Sequence, residues 1–280
     1  MKWDESYDSP DVEDRRDEGA PVERAGGGLG LLLPVLFRFG WKGVLVALLL
    51  YAGARYFMGG TVQHAPSRQH AGHDDARSFV GYVLDDVQKM WAQRLPGYEK
   101  ARVVLYSDAT TTGCGLGDAA VGPFYCPRDE RVYLDVTFFQ ELHNRFGVRG
   151  DFAQAYVIAH ELGHHVQRLT GTSDRVERAP LRSRRGEEGL SVRLELQADC
   201  YAGVWASSAE QRGLLEPGDI DSAMRAAAAI GDDRLQKQAT GTVQPEKWTH
   251  GSSEERVRWF QRGHDRGEAA ACDTFGTGRL

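Results

Sequence analysis

Between Tyr156 and Gln167 the chain reads Tyr-Val-Ile-Ala-His-Glu-Leu-Gly-His-His-Val-Gln, and three of these residues carry metal chemistry. His160 and His164 are four apart, a spacing that stacks them on one helix face, so both rings can reach one metal ion. Glu161 follows the first histidine, where a carboxylate can sit beside a water held by the metal and take its proton. The surroundings predict a helix: Phe152, Ala155, Tyr156 and Ala159 give an apolar helical run, and no proline interrupts Asp151 to Thr170. Gly163 is out of place there, since glycine inside a helix costs about 1 kcal/mol against alanine. A close neighbour packed on that turn would account for it. His165 points about 100° away from His164 around the helix and is not expected to be a ligand.

A catalytic zinc site keeps three protein ligands and one open position. Downstream lies Leu194-Glu195-Leu196-Gln197-Ala198-Asp199-Cys200. Glu195 and Asp199 fall on one face of a second predicted helix. Taken alone they read as a solvated acidic face. Beside the histidine pair, Glu195 is assigned as third ligand, and Asp199 as acceptor of a hydrogen bond from the free ring nitrogen of a ligand histidine. Zn²⁺ with two neutral imidazoles and one carboxylate keeps net positive charge, which lowers the pKa of a coordinated water to about 7.

These segments resemble the neutral zinc metallopeptidases of bacterial membranes. The resemblance runs from Met1-Lys2-Trp3 and Val12-Glu13-Asp14-Arg15-Arg16 through Gly122-Pro123-Phe124-Tyr125-Cys126-Pro127 and Gly150 to Tyr156. It continues through Glu195 to Cys200 and ends with His250 to Phe260. The Glu195-x-x-Ala198-Asp199 element is also similar to that of the CAAX-prenyl-protease type of membrane zinc peptidase, where the glutamate is the third ligand. That type carries Thr-His-Pro with an arginine six residues after the histidine. Here Thr249, His250 and Arg256 match, while Gly251 replaces the proline. The resemblance implies that His250 donates to the oxyanion of a tetrahedral intermediate, with Arg256 orienting His250 or Asp199.

The chain has 280 residues and a net charge of −6. Nine acids against four bases lie in the first 24 residues, so the remainder is nearly neutral and no basic surface points to nucleic acid. Residues 1–38 are read as a disordered acidic tail. Residues 39–57 are read as one transmembrane helix, with Lys42 and Arg55 snorkelling outward and Trp41 and Tyr56 at the interfaces. Two other readings of that segment are a cleaved signal at Ala52-Gly53-Ala54 and a buried core helix. Residues 58–74, with Gly59, Gly60 and Pro66, read as a linker, and its His64, His70 and His73 as solvated. A zinc metallopeptidase domain is assigned to 75–280.

Arg38 and Lys42 on one side of the apolar segment, and cysteines only after it, favour a cell-membrane protein with an extracytoplasmic catalytic domain. Cys114, Cys126, Cys200 and Cys272 then suggest two disulfides. Three pairings can be drawn, the favoured one joining Cys114 to Cys126 and Cys200 to Cys272. In a cytoplasmic domain the same residues would be small buried side chains.

The fold expected is α+β: a mainly helical, zincin-like metalloprotease domain with a small sheet, after one N-terminal transmembrane helix. Helices are predicted at 75–94, around each metal motif, twice within Glu210–Gln238 and at Ser253–Arg262. Strands are predicted at Arg102–Ser107 and Arg131–Val136, with Thr110–Pro127 as a loop between them. The second strand is read as an edge that could pair with extended substrate. Gly171–Gly189 is read as a solvated loop, or as a lid over the cleft. The functional reading is a membrane-anchored, zinc-dependent endopeptidase acting on a peptide or protein substrate and held to the lipid bilayer by one helix. Two alternatives are a non-proteolytic zinc-bearing membrane scaffold and a di-iron carboxylate bundle. The latter lacks its second Glu-x-x-His.

Overall fold

Helix α1 (Asp75–Arg94) buries the stripe Phe79, Val80, Val83, Leu84, Val87, Met90 and Trp91. The side chain of Asp74 caps its start by accepting from the Arg77 amide at 3.2 Å. It ends at an extended Leu95 because Pro96 disfavours helical backbone in the residue before it. In this computed structural model the described residues are 1–18, 74–118, 122–148, 150–276, 278 and 280. The sequence-read span at 39–57 and the linker up to residue 73 lie outside them. Among the described residues no helix is long and apolar enough to cross a membrane.

A four-stranded sheet packs beside α1. Its strands are β1 (Val12–Asp14), β2 (Arg102–Tyr106), β5 (Phe124–Cys126) and β6 (Arg131–Asp135), in the order β1-β2-β6-β5. The first three in that order run parallel, and β5 is antiparallel to β6. Strands β3 (Ala109–Thr112) and β4 (Gly115–Asp118) form a separate hairpin. Thr110–Pro127 is therefore not one loop. Its small and glycine-rich residues hide the strand pattern. The expectation of a substrate-binding edge at Arg131–Val136 is also corrected: β6 has β2 on one side and β5 on the other, so its backbone groups are taken.

The acidic start is not a disordered tail over residues 1–18. Met1 and Val12 are buried in the core, Trp3 packs edge-on against Phe79 with ring centroids 5.2 Å apart, and Val12–Asp14 pair with Val103–Leu105. Trp3 Nε1 also donates to Asp151 Oδ2 at 3.1 Å. The acids find bases elsewhere in the domain. Asp8 pairs with Arg77 at 3.0 Å, Asp11 with Lys100 at 2.9 Å and Glu13 with Arg131 at 2.9 Å. Local composition underestimated this segment because its few apolar anchors and its counter-charges come from distant residues.

After β6 the chain is helical: α2 (Thr137–Phe146), α3 (Asp151–Leu169), α4 (Thr172–Arg178), α5 (Leu181–Arg184), α6 (Leu190–Gln211), α7 (Asp219–Ala229), α8 (Asp232–Thr240) and α9 (Ser253–Arg266). Helix α3 is buried on nearly every face, between α1, α6 and α7. Ala223, Ala226, Ala227 and Ala229 of α7 are fully buried, small side chains that let helices approach. The pairing foreseen for the cysteines is present: Cys114–Cys126 ties the β3–β4 turn to β5, and Cys200–Cys272 ties the C-terminal segment to α6.

Two glycines set the spacing of α6 and α9. A Cβ at Gly203 would lie 2.0 Å from the Phe260 carbonyl, and one at Gly263 2.0 Å from the Cys200 carbonyl. The oddity at Gly163 has the same origin, for a Cβ there would meet the Ala198 backbone at 3.0 Å. Gly263→Ala should force the two helices apart and destabilise the domain by about 3 kcal/mol. Urea unfolding checks it, and an unchanged midpoint would contradict the tight contact.

Candidate metal centre

Helix α3 supplies His160, Glu161 and His164, and α6 supplies Glu195 and Asp199. The contact at Gly163 and Ala198 holds the two helices close enough for their side chains to meet. His160 Nε2 lies 3.3 Å from Glu195 Oε2, and His164 Nε2 lies 3.5 Å from Glu195 Oε1. One ligand atom from each of the three lies within 4.8 Å of the others, the only such cluster among the described residues. The two rings are nearly perpendicular, with centroids 4.8 Å apart.

The far nitrogens of both rings are held by buried partners. His160 Nδ1 is 2.8 Å from Asp199 Oδ1, so it carries a proton and donates, leaving Nε2 to face Glu195. His164 Nδ1 is 2.9 Å from Gln167 Oε1. That amide is oriented by its own Nε2, which donates to the Leu194 carbonyl at 2.7 Å and to Gln197 Oε1 at 3.1 Å. Gln167 drew no attention in the sequence, although it lies one turn beyond His164. His165 is engaged elsewhere. Its Nε2 donates to the Glu99 carbonyl at 2.7 Å, and its Nδ1 accepts from the Tyr125 hydroxyl at 2.9 Å.

Asp199 is fully buried and fully used. Arg256 donates to it through Nε at 2.8 Å and Nη2 at 2.9 Å, and the Tyr156 hydroxyl donates to the same Oδ1 that His160 uses. Burial alone would raise the Asp199 pKa, but Arg256 and His160 outweigh it and hold the carboxyl below its usual range. Of the two roles open to Arg256, the structure gives it Asp199. The sequence places Tyr156 only in the apolar run one turn before His160, with no sign of this polar role.

His250 reaches the same cleft from the loop before α9. Asp232, missed in the sequence, builds that loop. One of its oxygens accepts from the amides of Thr249, His250 and Gly251 at 2.7, 2.6 and 3.2 Å, and the other lies 3.2 Å from His250 Nδ1. Burial works against a charged His250, but Asp232 and Glu195 raise its pKa. The departure at Gly251 is explained here. Its φ is +89°, which proline cannot adopt, and its amide donates to Asp232.

The cleft has a volume of about 570 Å³ and is lined by His160, Glu161, His164, Glu195 and His250. Phe124 and Tyr125 of β5 form part of its wall. The segment Gly171–Gly189 is not a bare loop: Ser173, Val176 and Glu177 of α4 and Arg184 of α5 also line the cleft. Burial, tempered by the charge of His160, lifts the Glu161 carboxyl to about 7, and the Tyr125 amide donates to it.

The donor set fits a zinc ion. Two imidazole nitrogens and a carboxylate converge, and both imidazole tautomers are fixed with their lone pairs inward. Without a cation, burial disfavours a charged His160, yet Asp199 and Glu195 prevail and raise its pKa to about 10. A proton then takes the place of the cation. Zinc binding at pH 7 should therefore release about one proton, and affinity should weaken as pH falls. Titration calorimetry in buffers of different ionisation enthalpy reads that number, and uptake of a proton would contradict it. Asp199→Asn and Gln167→Ala should each weaken zinc binding about 10- to 100-fold. Competition against a chelator measures this, and unchanged affinity would remove these residues from the site.

Residues 1–275 match the family described as "Putative neutral zinc metallopeptidase". The chain is 42% identical over 292 aligned positions to the uncharacterized protein YpfJ of Escherichia coli K12, with 99% of each chain covered. It is 46% identical over 221 positions to the uncharacterized proteins Mb2605 of Mycobacterium bovis and Rv2575 of Mycobacterium tuberculosis, with 74% of each chain covered. No solved structure matches it. The chain belongs to the neutral zinc metallopeptidase family, and zinc is the metal its paired imidazoles and carboxylate serve.

Proposed function

We propose that the protein is an endopeptidase that hydrolyses peptide bonds with a zinc-activated water. The observation that carries this reading is Glu161: a buried carboxylate beside His160, open to the cleft and raised in pKa to about 7. A purely structural zinc site closes all four positions with protein ligands, whereas here three ligands converge and an acid–base group stands next to them. Bound zinc supplies a Lewis acid that lowers the pKa of water and polarises a carbonyl oxygen.

The remaining work falls to side chains. Glu161 takes the proton of the attacking water and passes it to the leaving amine, as one carboxyl serving first as base and then as acid. His250, its Nδ1 held by Asp232, presents the rest of its ring to the cleft, where it donates to the oxyanion. The apolar walls of Phe124, Val157, Val176 and Leu194 receive the substrate's side chains and limit water. The apolar segment 39–57 attaches the protein to a cell membrane, and the two disulfides support a catalytic domain in an oxidising compartment outside the cytoplasm.

Glu161→Gln should keep one zinc per chain while kcat on a peptide library falls by about 10³-fold, within the range that general acid–base catalysis contributes, because the base starts the reaction. Undiminished hydrolysis would leave the non-proteolytic scaffold as the better reading. His250→Phe should lower kcat about 100-fold with metal content intact. Loss of zinc in that variant would move His250 into the ligand set. The base must be ionised, so kcat/KM should rise with pH through an acid limb centred at or below about 7, the cation pulling the Glu161 value downward. A rate that increases from pH 7 to pH 5 would contradict this assignment.

A further inference from the structure

The two sides of the apolar segment are joined in one sheet. Val12, Glu13 and Asp14 pair in parallel register with Val103, Val104 and Leu105. The Val103 amide donates to the Asp11 carbonyl at 3.0 Å, and the Arg15 amide to the Leu105 carbonyl at 2.8 Å, so the ladder is bonded at both ends. Side chains reinforce it. Trp3 packs on Phe79 and donates to Asp151, Arg77 Nη1 donates to the Val12 carbonyl at 3.1 Å, and the Tyr7 hydroxyl donates to Asp85 at 3.0 Å. The last residues before the segment and the first after it are also tied, since Arg16 pairs with both Asp14 and Asp74.

Paired strands lie about 4.8 Å apart, whereas the hydrocarbon core of a bilayer is about 30 Å thick. Residues 1–18 and residues from 74 onward therefore cannot occupy opposite faces of a membrane while this sheet exists. Two crossings by helices need about 40 apolar residues. Leu29 to Phe57 offers 29 residues, interrupted by Arg38, Lys42 and Arg55. That length does not serve two crossings.

We infer that the membrane contact is one-sided: residues 1–18 and the metallopeptidase domain share one face of the bilayer. This inference rests on the membrane attachment proposed above and replaces the single crossing read from sequence. It gives the bilayer a defined relation to the enzyme, because the compartment of the N-terminal strand is the compartment of the metal centre. Trp3, Val12 and the acids of the first 18 residues then serve as part of the catalytic domain rather than as a cytoplasmic tail.

The test is labelling of the full-length chain in a bacterial host. Glu5→Cys and Gln261→Cys, both at exposed positions, are made separately, with the unsubstituted chain as background. A membrane-impermeant maleimide is applied to intact spheroplasts and to membranes opened by detergent, after confirming that the chain sediments with membranes and resists carbonate extraction. The expected result is that both variants label in the same preparation, either both before opening or both only after it. Labelling of one before opening and the other only after it would overturn the inference while leaving membrane attachment intact. Recovery of the chain wholly in the soluble fraction would overturn the attachment, and the one-sided contact with it.

Discussion

Everything at this centre depends on one buried charge. Asp199 has no access to water, and an isolated carboxylate in that position would protonate or destabilise the fold. The guanidinium of Arg256 prevents this by donating two hydrogen bonds in the planar fork that suits a carboxylate. Held ionised, Asp199 fixes the His160 tautomer and turns its Nε2 toward Glu195. Removing one partner from a buried ion pair costs about 3–5 kcal/mol, so the group that orients the ligand also welds α9 to α6. Stability and metal geometry are coupled through the same four atoms.

That pair is reachable only because helices approach closely. Gly203 and Gly263 let α6 and α9 touch backbone to backbone, and Gly163 lets α3 settle on Ala198. The three glycines lack side chains where the ligands need their helices near. The disulfide from Cys200 to Cys272 then fixes the C-terminal segment to the helix that bears Glu195 and Asp199. Cys272 also offers its carbonyl to Gln197, which joins the network around Gln167 and His164. Each ligand histidine is thus backed by a chain of hydrogen bonds ending in main chain or in a buried ion pair.

The parts of this arrangement with local periodicity were legible in the sequence. His160, His164 and Glu195 stand at helical spacings on long apolar runs, and the helix at 75–94 shows helical apolar spacing ended by Pro96, so its type and its end could both be read. The parts built by distant partners were not. Asp232 acts on residues 18 positions later through a loop with no periodic pattern. Gln167 is an unremarkable polar residue until the Leu194 carbonyl is brought to it. The first 18 residues look disordered by composition because Arg77, Lys100 and Arg131, which neutralise their acids, are far along the chain. The short strands β3, β4 and β5 fall in glycine-rich sequence whose order comes from pairing rather than propensity. Family resemblance, rather than spacing, singled out His250 and Arg256.

The central claim is that two imidazoles and one carboxylate surround a single zinc ion with a position left open to the cleft. A crystal of the zinc-loaded protein measured at the zinc absorption edge tests it most directly. The account predicts one anomalous peak, about 2.0–2.2 Å from His160 Nε2, His164 Nε2 and a Glu195 oxygen, with a solvent oxygen as the remaining neighbour. A peak elsewhere, a second metal beside the first, or a fourth protein ligand closing the site would contradict it.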